Sequence, residues 1–226
     1  MKKRITIISD THGKHEILTS KRMGNILGSG DILIHCGDVS NVGKSHEIKS
    51  FLDWFSNTEF THKIFIAGNH DFGFEINTTI APEYVEKGVH YLFDSGVEID
   101  DIKFYGSPWQ PEFYDWAFNL PRGEKLAEKW ALIPNEVDIL ITHGPAYFML
   151  DHTIQGEKVG CIDLFDRIMQ VKPKIHTFGH IHYAYGQKSF DGIEFLNACT
   201  LNESYNYENK PIKLVFDTET KEIEYE

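Results

Sequence analysis

Arg4-Ile5-Thr6-Ile7-Ile8-Ser9-Asp10-Thr11-His12 sets the reading of this chain: a β-branched apolar run that stops on Asp-x-His. A short run of Ile and Thr bounded by polar residues reads as a strand. The pattern returns four times. Asp31-Ile32-Leu33-Ile34-His35 leads into Cys36-Gly37-Asp38, and Lys63–Ile66 into Ala67-Gly68-Asn69-His70-Asp71. Asp138-Ile139-Leu140-Ile141-Thr142 leads into His143-Gly144, and Lys174–Phe178 into Gly179-His180-Ile181-His182. Ligands bind at the carboxyl ends of strands in open α/β sheets, because the loops there converge on one crevice. Five strands ending on Asp, His or Asn, mostly beside Gly, predict such a crevice, with glycine letting the backbone turn sharply and approach a ligand.

Around these runs, helices are expected near His15–Leu27, His46–Ser56, Gly123–Ala131 and Gly160–Val171. Gly96–Ser107, Tyr183–Ala198 and Pro211–Glu226, with its turn at Asp217–Lys221, read as β-meander. Near-continuous apolar strands alternating with helices predict two packed sheets covered by helices, an α/β (α+β) fold. No repeat or linker divides the 226 residues, so one domain over 1–226 is expected.

Composition narrows the function. Hydrophobic residues are 41% and charged residues 25%, as in globular proteins, which excludes disorder and coiled coil. No apolar run reaches the ~18 residues that span a bilayer. The basic start Met1-Lys2-Lys3-Arg4 is followed only by Ile5-Thr6-Ile7-Ile8 before polar residues, so a cytoplasmic protein is expected. The formal charge of −12 argues against general nucleic-acid or anionic-membrane binding; no residue pattern sets an oligomeric state. Cys36, Cys161 and Cys199 are far apart and odd in number, and read as buried thiols.

The strand-end residues suit a metal pair. Carboxylate, imidazole and amide oxygen serve Mn²⁺, Fe or Zn²⁺ without thiolate. In this order, Asp-x-His, Gly-Asp, Gly-Asn-His-Asp, His and Gly-His-x-His resemble the motifs of the calcineurin-like metallophosphoesterases. The resemblance implies a four-layer α-β-β-α sandwich. It also implies that Asp10, His12, Asp38 and His182 hold one metal, with Asp38 bridging to a second completed by Asn69, His143 and His180. His70 is then the non-ligand histidine that meets substrate. Tyr105-Gly106-Ser107-Pro108-Trp109-Gln110-Pro111, Phe118–Gly123, Thr142–Pro145, Val159-Gly160-Cys161, Asn197-Ala198 and Asn209-Lys210-Pro211 extend the likeness over nearly the whole chain. They resemble a subfamily of small metallophosphoesterase-domain proteins, some of which carry Gly for the first histidine of the last motif. Here that position is His180, so a full pair is expected. The subfamily implies phosphodiesters, with cyclic nucleotides as candidate substrates.

The expected activity is therefore hydrolysis of phosphodiesters of nucleotide size by hydroxide generated at two divalent ions, Mn²⁺ before Fe or Zn²⁺. His70 would act as acid or transition-state stabiliser. Protein phosphatases place an Asp shortly after Gly-Asp to pair with this histidine. Here that stretch is Val39-Ser40-Asn41-Val42-Gly43, which leaves Asp71 as the candidate to orient His70. The rivals are a phosphomonoesterase or protein phosphatase, and a non-catalytic metal-binding scaffold. No Arg neighbours Asp38 or His70 in sequence, which favours the less charged diester. Trp109, Phe113, Tyr114 and Trp116 are either core or a stacking wall; on the second reading Trp109 and Trp116 contact substrate with Asn69 and His70. His35 and His176, inside strands, read as packing residues.

Overall fold

Every apolar run read above forms a strand in the computed structural model, which describes residues 1–226. In chain order the elements are β1 (Lys2–Ile8), β2 (Gly30–His35), α1 (Ser45–Ser56), β3 (Phe60–Phe65), α2 (Phe72–Ile76), α3 (Pro82–Glu86) and β4 (Val89–Tyr91). Then come β5 (Ser95–Ile99), β6 (Ile102–Ser107), β7 (Gln110–Pro111), β8 (Asn119–Leu120), α4 (Glu124–Trp130), β9 (Ile139–Thr142) and α5 (Ile162–Val171). The chain ends with β10 (Ile175–Phe178), β11 (Gly186–Phe190), β12 (Ile193–Asn197), β13 (Ile212–Asp217) and β14 (Ile223–Tyr225).

One sheet has the order β14-β13-β1-β2-β3-β4 and the other β11-β12-β10-β9-β6-β5. In the first, β1 to β4 run parallel and β13 and β14 are antiparallel additions. In the second, β6, β9, β10 and β12 run parallel, with β5 and β11 antiparallel at the edges. Successive strand residues face opposite sides. Ile5, Ile7, Ile32, Ile34 and Ile64 meet Phe104, Ile139, Ile141 and Ile175 between the sheets. Leu33 and Phe65 face outward onto Phe51 and Phe55 of α1, while Leu140 and Phe195 face Trp130, Leu164 and Ile168 of α4 and α5. The result is the expected α-β-β-α sandwich, with both faces of each sheet covered. No helix is long and apolar enough to cross a membrane.

Two stretches differ from the reading above. His15–Leu27 forms no α-helix but two 3₁₀ turns, His15–Thr19 and Lys21–Met23. Ser20 takes an extended conformation between them, and its hydroxyl accepts from the Met23 amide, so the serine ends one turn and caps the next. Residues 72–91, given no element from sequence, hold α2, α3 and β4. Pro82 at the start of α3 is the usual signature of a first helical turn.

Phe51 carries the packing under the first sheet: its ring stacks on Phe55 at 4.9 Å and meets Phe65 and His35 edge-on at 5.3 Å. Phe51→Ala should cost about 3–5 kcal/mol in urea denaturation, as for other buried aromatics. Phe113→Ala, at a residue 52% exposed, should stay within about 0.5 kcal/mol. Equal losses would show that the two faces are not packed as described.

Candidate metal centre

The loops after β1, β2, β3, β9 and β10 meet at one end of the two sheets. Asp10 (φ 54°), His12 (42°), Asp38 (54°) and His180 (68°) all occupy the left-handed region that residues with a Cβ rarely visit. Main-chain bonds hold them there: Asp10 N–H donates to Gly37 O and His12 N–H to Asp38 O, each at 3.0 Å. The carboxylates are fixed from the other side. His180 N–H donates to Asp10 Oδ2 at 2.9 Å and His70 N–H to Asp38 Oδ1 at 2.8 Å. Glycine is required behind each carboxylate, since a Cβ on Gly179 would lie 2.0 Å from Asp10 Oδ2 and one on Gly68 2.3 Å from Asp38 Oδ1.

The remaining carboxylate oxygens face imidazoles. Asp10 Oδ1 lies 3.3 Å from His182 Nε2 and 3.9 Å from His12 Nε2. Asp38 Oδ2 lies 3.5 Å from His143 Nε2, 3.7 Å from His12 Nε2 and 3.9 Å from His70 Nε2. Donor atoms fall into three clusters, each within 4.8 Å: Asp10–His12–His182, Asp10–Asp38–His143 and His12–Asp38–His70. Asn69 Oδ1 stands 2.8 Å from His143 Nε2. His180 stands apart from the three clusters, its ring 5.0 Å from that of His143. Three histidines have their other nitrogen tied to a carbonyl: His143 to Cys36 O at 2.9 Å, His182 to Asn202 O at 3.0 Å and His70 to Asn41 O at 2.7 Å. A carbonyl only accepts, so Nδ1 carries the proton and Nε2 is left facing the centre; for His143 and His182 this fixes the ring orientation and tautomer a metal ligand needs.

Asp10 Oδ1 and both nitrogens of His12 are buried and make no well-directed hydrogen bond within the protein. Asp10 Oδ1 and His12 Nε2 lie 3.9 Å apart, and an unpaired carboxylate oxygen beside an unpaired imidazole nitrogen fits a divalent ion. The one thiol in reach, Cys199, donates to Asp10 Oδ2 at 3.3 Å, and burial, then Asp10, holds it protonated. Burial would raise both carboxylates, but His182 holds Asp10, and His143 holds Asp38, well below the usual range. In return, and against burial, Asp38 pushes His143 up to about 9 and Asp10 does the same for His182. Burial lowers His12 to about 4 and His180 to about 3.

The family model described as calcineurin-like phosphoesterase matches residues 3–184, which carry all seven candidate ligands and His70. The chain belongs to that family. Among relatives of this chain, human metallophosphoesterase domain-containing protein 1 is 37% identical over 239 residues, covering 95% of this chain and 71% of that protein. A UPF0046 protein of Caenorhabditis elegans is 34% identical, covering 96% of this chain and 81% of its own. The crystal structure of the phosphopantetheinyl hydrolase of Mycobacterium tuberculosis has a similar fold, with a TM-score of 0.59 at 17% identity over 89% of this chain and 90% of that one.

A cleft of about 760 Å³ opens over Asp38, Asn69, His70, His180 and His182. Trp116 lines it and packs on the His70 ring at 4.1 Å, the two planes tilted by 31°. Trp109 does not reach it. Its indole N–H donates to Asp94 Oδ2 at 2.8 Å, and its ring packs on Phe93 and Phe118 under the Lys129 ammonium. A second, polar hollow of about 720 Å³ between the His15–Thr19 turn and α1 holds none of the candidate ligands.

Asp71 does not orient His70. Its buried carboxylate accepts from the amides of Val39, Ser40 and Gly68 at 2.9–3.1 Å and from the Ser40 hydroxyl at 2.6 Å. The Ser40 hydroxyl oxygen in turn accepts from Gly43 N–H at 2.8 Å. Asp71 thus braces the 39–43 loop, and the carbonyl of Asn41 in that loop holds His70. Sequence reasoning missed Asn41, because a main-chain carbonyl leaves no trace in residue type. It also missed Tyr205, which lies edge-on to His12 at 4.7 Å and lines the cleft.

Two outcomes follow. Charged His143 and His182 must lose their protons to bind metal, so at pH 7.5 uptake should release about two protons. Apparent affinity should rise with pH to about 9 and level off above it. Titration calorimetry in buffers of different ionisation enthalpy measures the count, and uptake without proton release would rule these charges out. Asp71→Ala strands three main-chain amides and should destabilise the fold by about 3 kcal/mol or more in urea, with Asp71→Asn milder. Stability unchanged in both would remove the bracing role.

Proposed function

We propose that the protein hydrolyses phosphodiesters of nucleotide size at a two-metal centre held by Asp10, His12, Asp38, Asn69, His143, His180 and His182. The observation that carries the diester reading is the cleft's charge. Arg122, the one Arg or Lys side chain lining the cleft, is already engaged, donating to Gly160 O at 2.7 Å and Val159 O at 2.6 Å. Glu112, Glu157 and Glu203 line the same cleft. A dianionic monoester calls for a free guanidinium or ammonium, whereas a monoanionic diester does not.

When bound, divalent ions supply a nucleophile near neutral pH and positive charge for the phosphoryl oxygens. The chain's own residues do the rest. Asp38, between His12 and His143, is placed to join the two halves of the centre. His70, fixed through Asn41, turns Nε2 toward the centre, so its protonated form can donate to the departing alkoxide. Trp116 offers a flat wall beside that leaving group, suited to stacking a planar base.

The test is hydrolysis of bis-p-nitrophenyl phosphate beside p-nitrophenyl phosphate, after chelation and Mn²⁺ add-back. Turnover of the diester should exceed that of the monoester, depend on added metal and vanish in Asp38→Ala. His70→Ala should slow a simple alkyl diester by about 10²–10⁴-fold and a nitrophenyl diester far less, since a good leaving group needs no acid. Monoester preference would overturn the diester reading, and equal losses on both diesters would overturn the acid role of His70.

A further inference from the structure

Residues 199–209, beyond the stretch matched by the family model, cross from the end of β12 to the metal centre. They are pinned at several points. Thr200 N–H donates to Ser9 O at 2.9 Å, and the Asn209 amide donates to Cys199 O at 2.9 Å. Between these points Asn202 ties a tight turn. Its side-chain oxygen accepts from Ser204 N–H at 2.9 Å and Asn206 N–H at 3.0 Å, and its carbonyl accepts from Tyr205 N–H at 2.8 Å. The same carbonyl takes the Nδ1 proton of His182, so this turn also orients a candidate ligand.

At the tip stands Tyr205, in the left-handed region at φ 58°. A Tyr there is strained and persists only where its surroundings impose it. The Tyr205 carbonyl takes Lys14 Nζ at 2.5 Å, and the ring lies 4.7 Å from that of His12 and 5.4 Å from that of His182. His70 flanks His12 as well, with ring centroids 4.6 Å apart. The backbone groups of Tyr205 are thus engaged, its ring rests on two candidate ligands, and its hydroxyl, engaged by no other protein group, belongs to a residue that is 40% exposed and lines the cleft.

We propose that the Tyr205 hydroxyl donates a hydrogen bond to a non-bridging oxygen of the phosphodiester monoanion bound over the centre. The assignment rests on the hydrolase reading above and deepens it. The cleft has no free Arg or Lys, so an uncharged donor on a rigid turn takes the place an arginine would hold for a dianion. Tyr205 is then a substrate-contacting residue supplied from outside the family's motif-bearing core.

The experiment compares wild type, Tyr205→Phe and Tyr205→Ala, each loaded with Mn²⁺, by calorimetric binding of inorganic phosphate and by kcat/KM for bis-p-nitrophenyl phosphate. Loss of a hydrogen bond to a charged group should weaken phosphate binding and lower kcat/KM about 10- to 150-fold in Tyr205→Phe. Metal content and melting temperature should stay at wild-type values, because the ring remains. Binding and turnover within twofold of wild type in Tyr205→Phe would overturn the proposal. So would loss confined to Tyr205→Ala, which would make the ring a packing element, or loss of metal in Tyr205→Phe. A wild type that neither binds phosphate nor cleaves either ester would overturn the hydrolase reading and this one with it, an outcome distinct from a wild type that works and a Phe variant that matches it.

Discussion

Two carboxylates, Asp10 and Asp38, are buried with donor atoms within 4.8 Å of each other, and the rest of the site answers to that. Taking a carboxylate out of water costs several kcal/mol per ion unless opposite charge and hydrogen bonds offset it. The protein splits the work between the two oxygens of each group. One oxygen is fixed by a main-chain amide, and the other is left facing imidazoles. The centre therefore demands positive charge whatever occupies it. Without metal, protons on His143 and His182 supply it; divalent ions would displace those protons and take over the same role.

Each sheet contributes a buried strand histidine that steadies the loops on its own side. His35 of β2 lies 3.0 Å from the Thr11 hydroxyl, between Asp10 and His12, and His176 of β10 lies 2.8 Å from the hydroxyl of Thr142, next to His143. Thr142 donates its own proton to Gly144 O, so the His176 contact is an Nε2–H donated to the threonine. Burial holds both rings neutral, down at about 3. They are packing residues, as read from their positions inside strands, yet their polar ends reach the loops that carry the candidate ligands. Left-handed turns at Asp10, His12, Asp38 and His180 are tolerable because strand, threonine and facing loop all constrain them.

The sequence made the fold legible where one cause dominated. Strands buried on both faces must be apolar throughout, so β1, β2, β3, β9 and β10 stood out, and polar residues at their ends marked the crevice. It was less legible where causes competed. His15–Leu27 has apolar residues enough for a helix, but Ser20 offers the backbone a rival hydrogen bond and breaks it into 3₁₀ turns. Trp109 and Trp116 are chemically alike and seven positions apart. Only tertiary packing sends one to Asp94 and Lys129 and the other onto His70. Asp71 and Asn41 failed for a different reason: one acts through main-chain amides and the other through its own carbonyl, and neither role depends on a pattern of side chains.

That last pair explains why His70 is held by a carbonyl and not by the carboxylate that protein phosphatases use. Asp10, Asp38 and Asp71 already crowd the loops after β1, β2 and β3. Burial and the nearby charge of Asp38 push Asp71 up to about 6, even with four hydrogen bonds donated to it. A further buried carboxylate beside His70 would meet the same repulsion and desolvation, while the charges on His143 and His182 are already matched to Asp38 and Asp10. The Asn41 carbonyl fixes the same nitrogen in the same tautomer without adding charge, and Asp71, by bracing the 39–43 loop, fixes the carbonyl. Orientation of the histidine thus depends on a carboxylate acting at one remove, through the main chain.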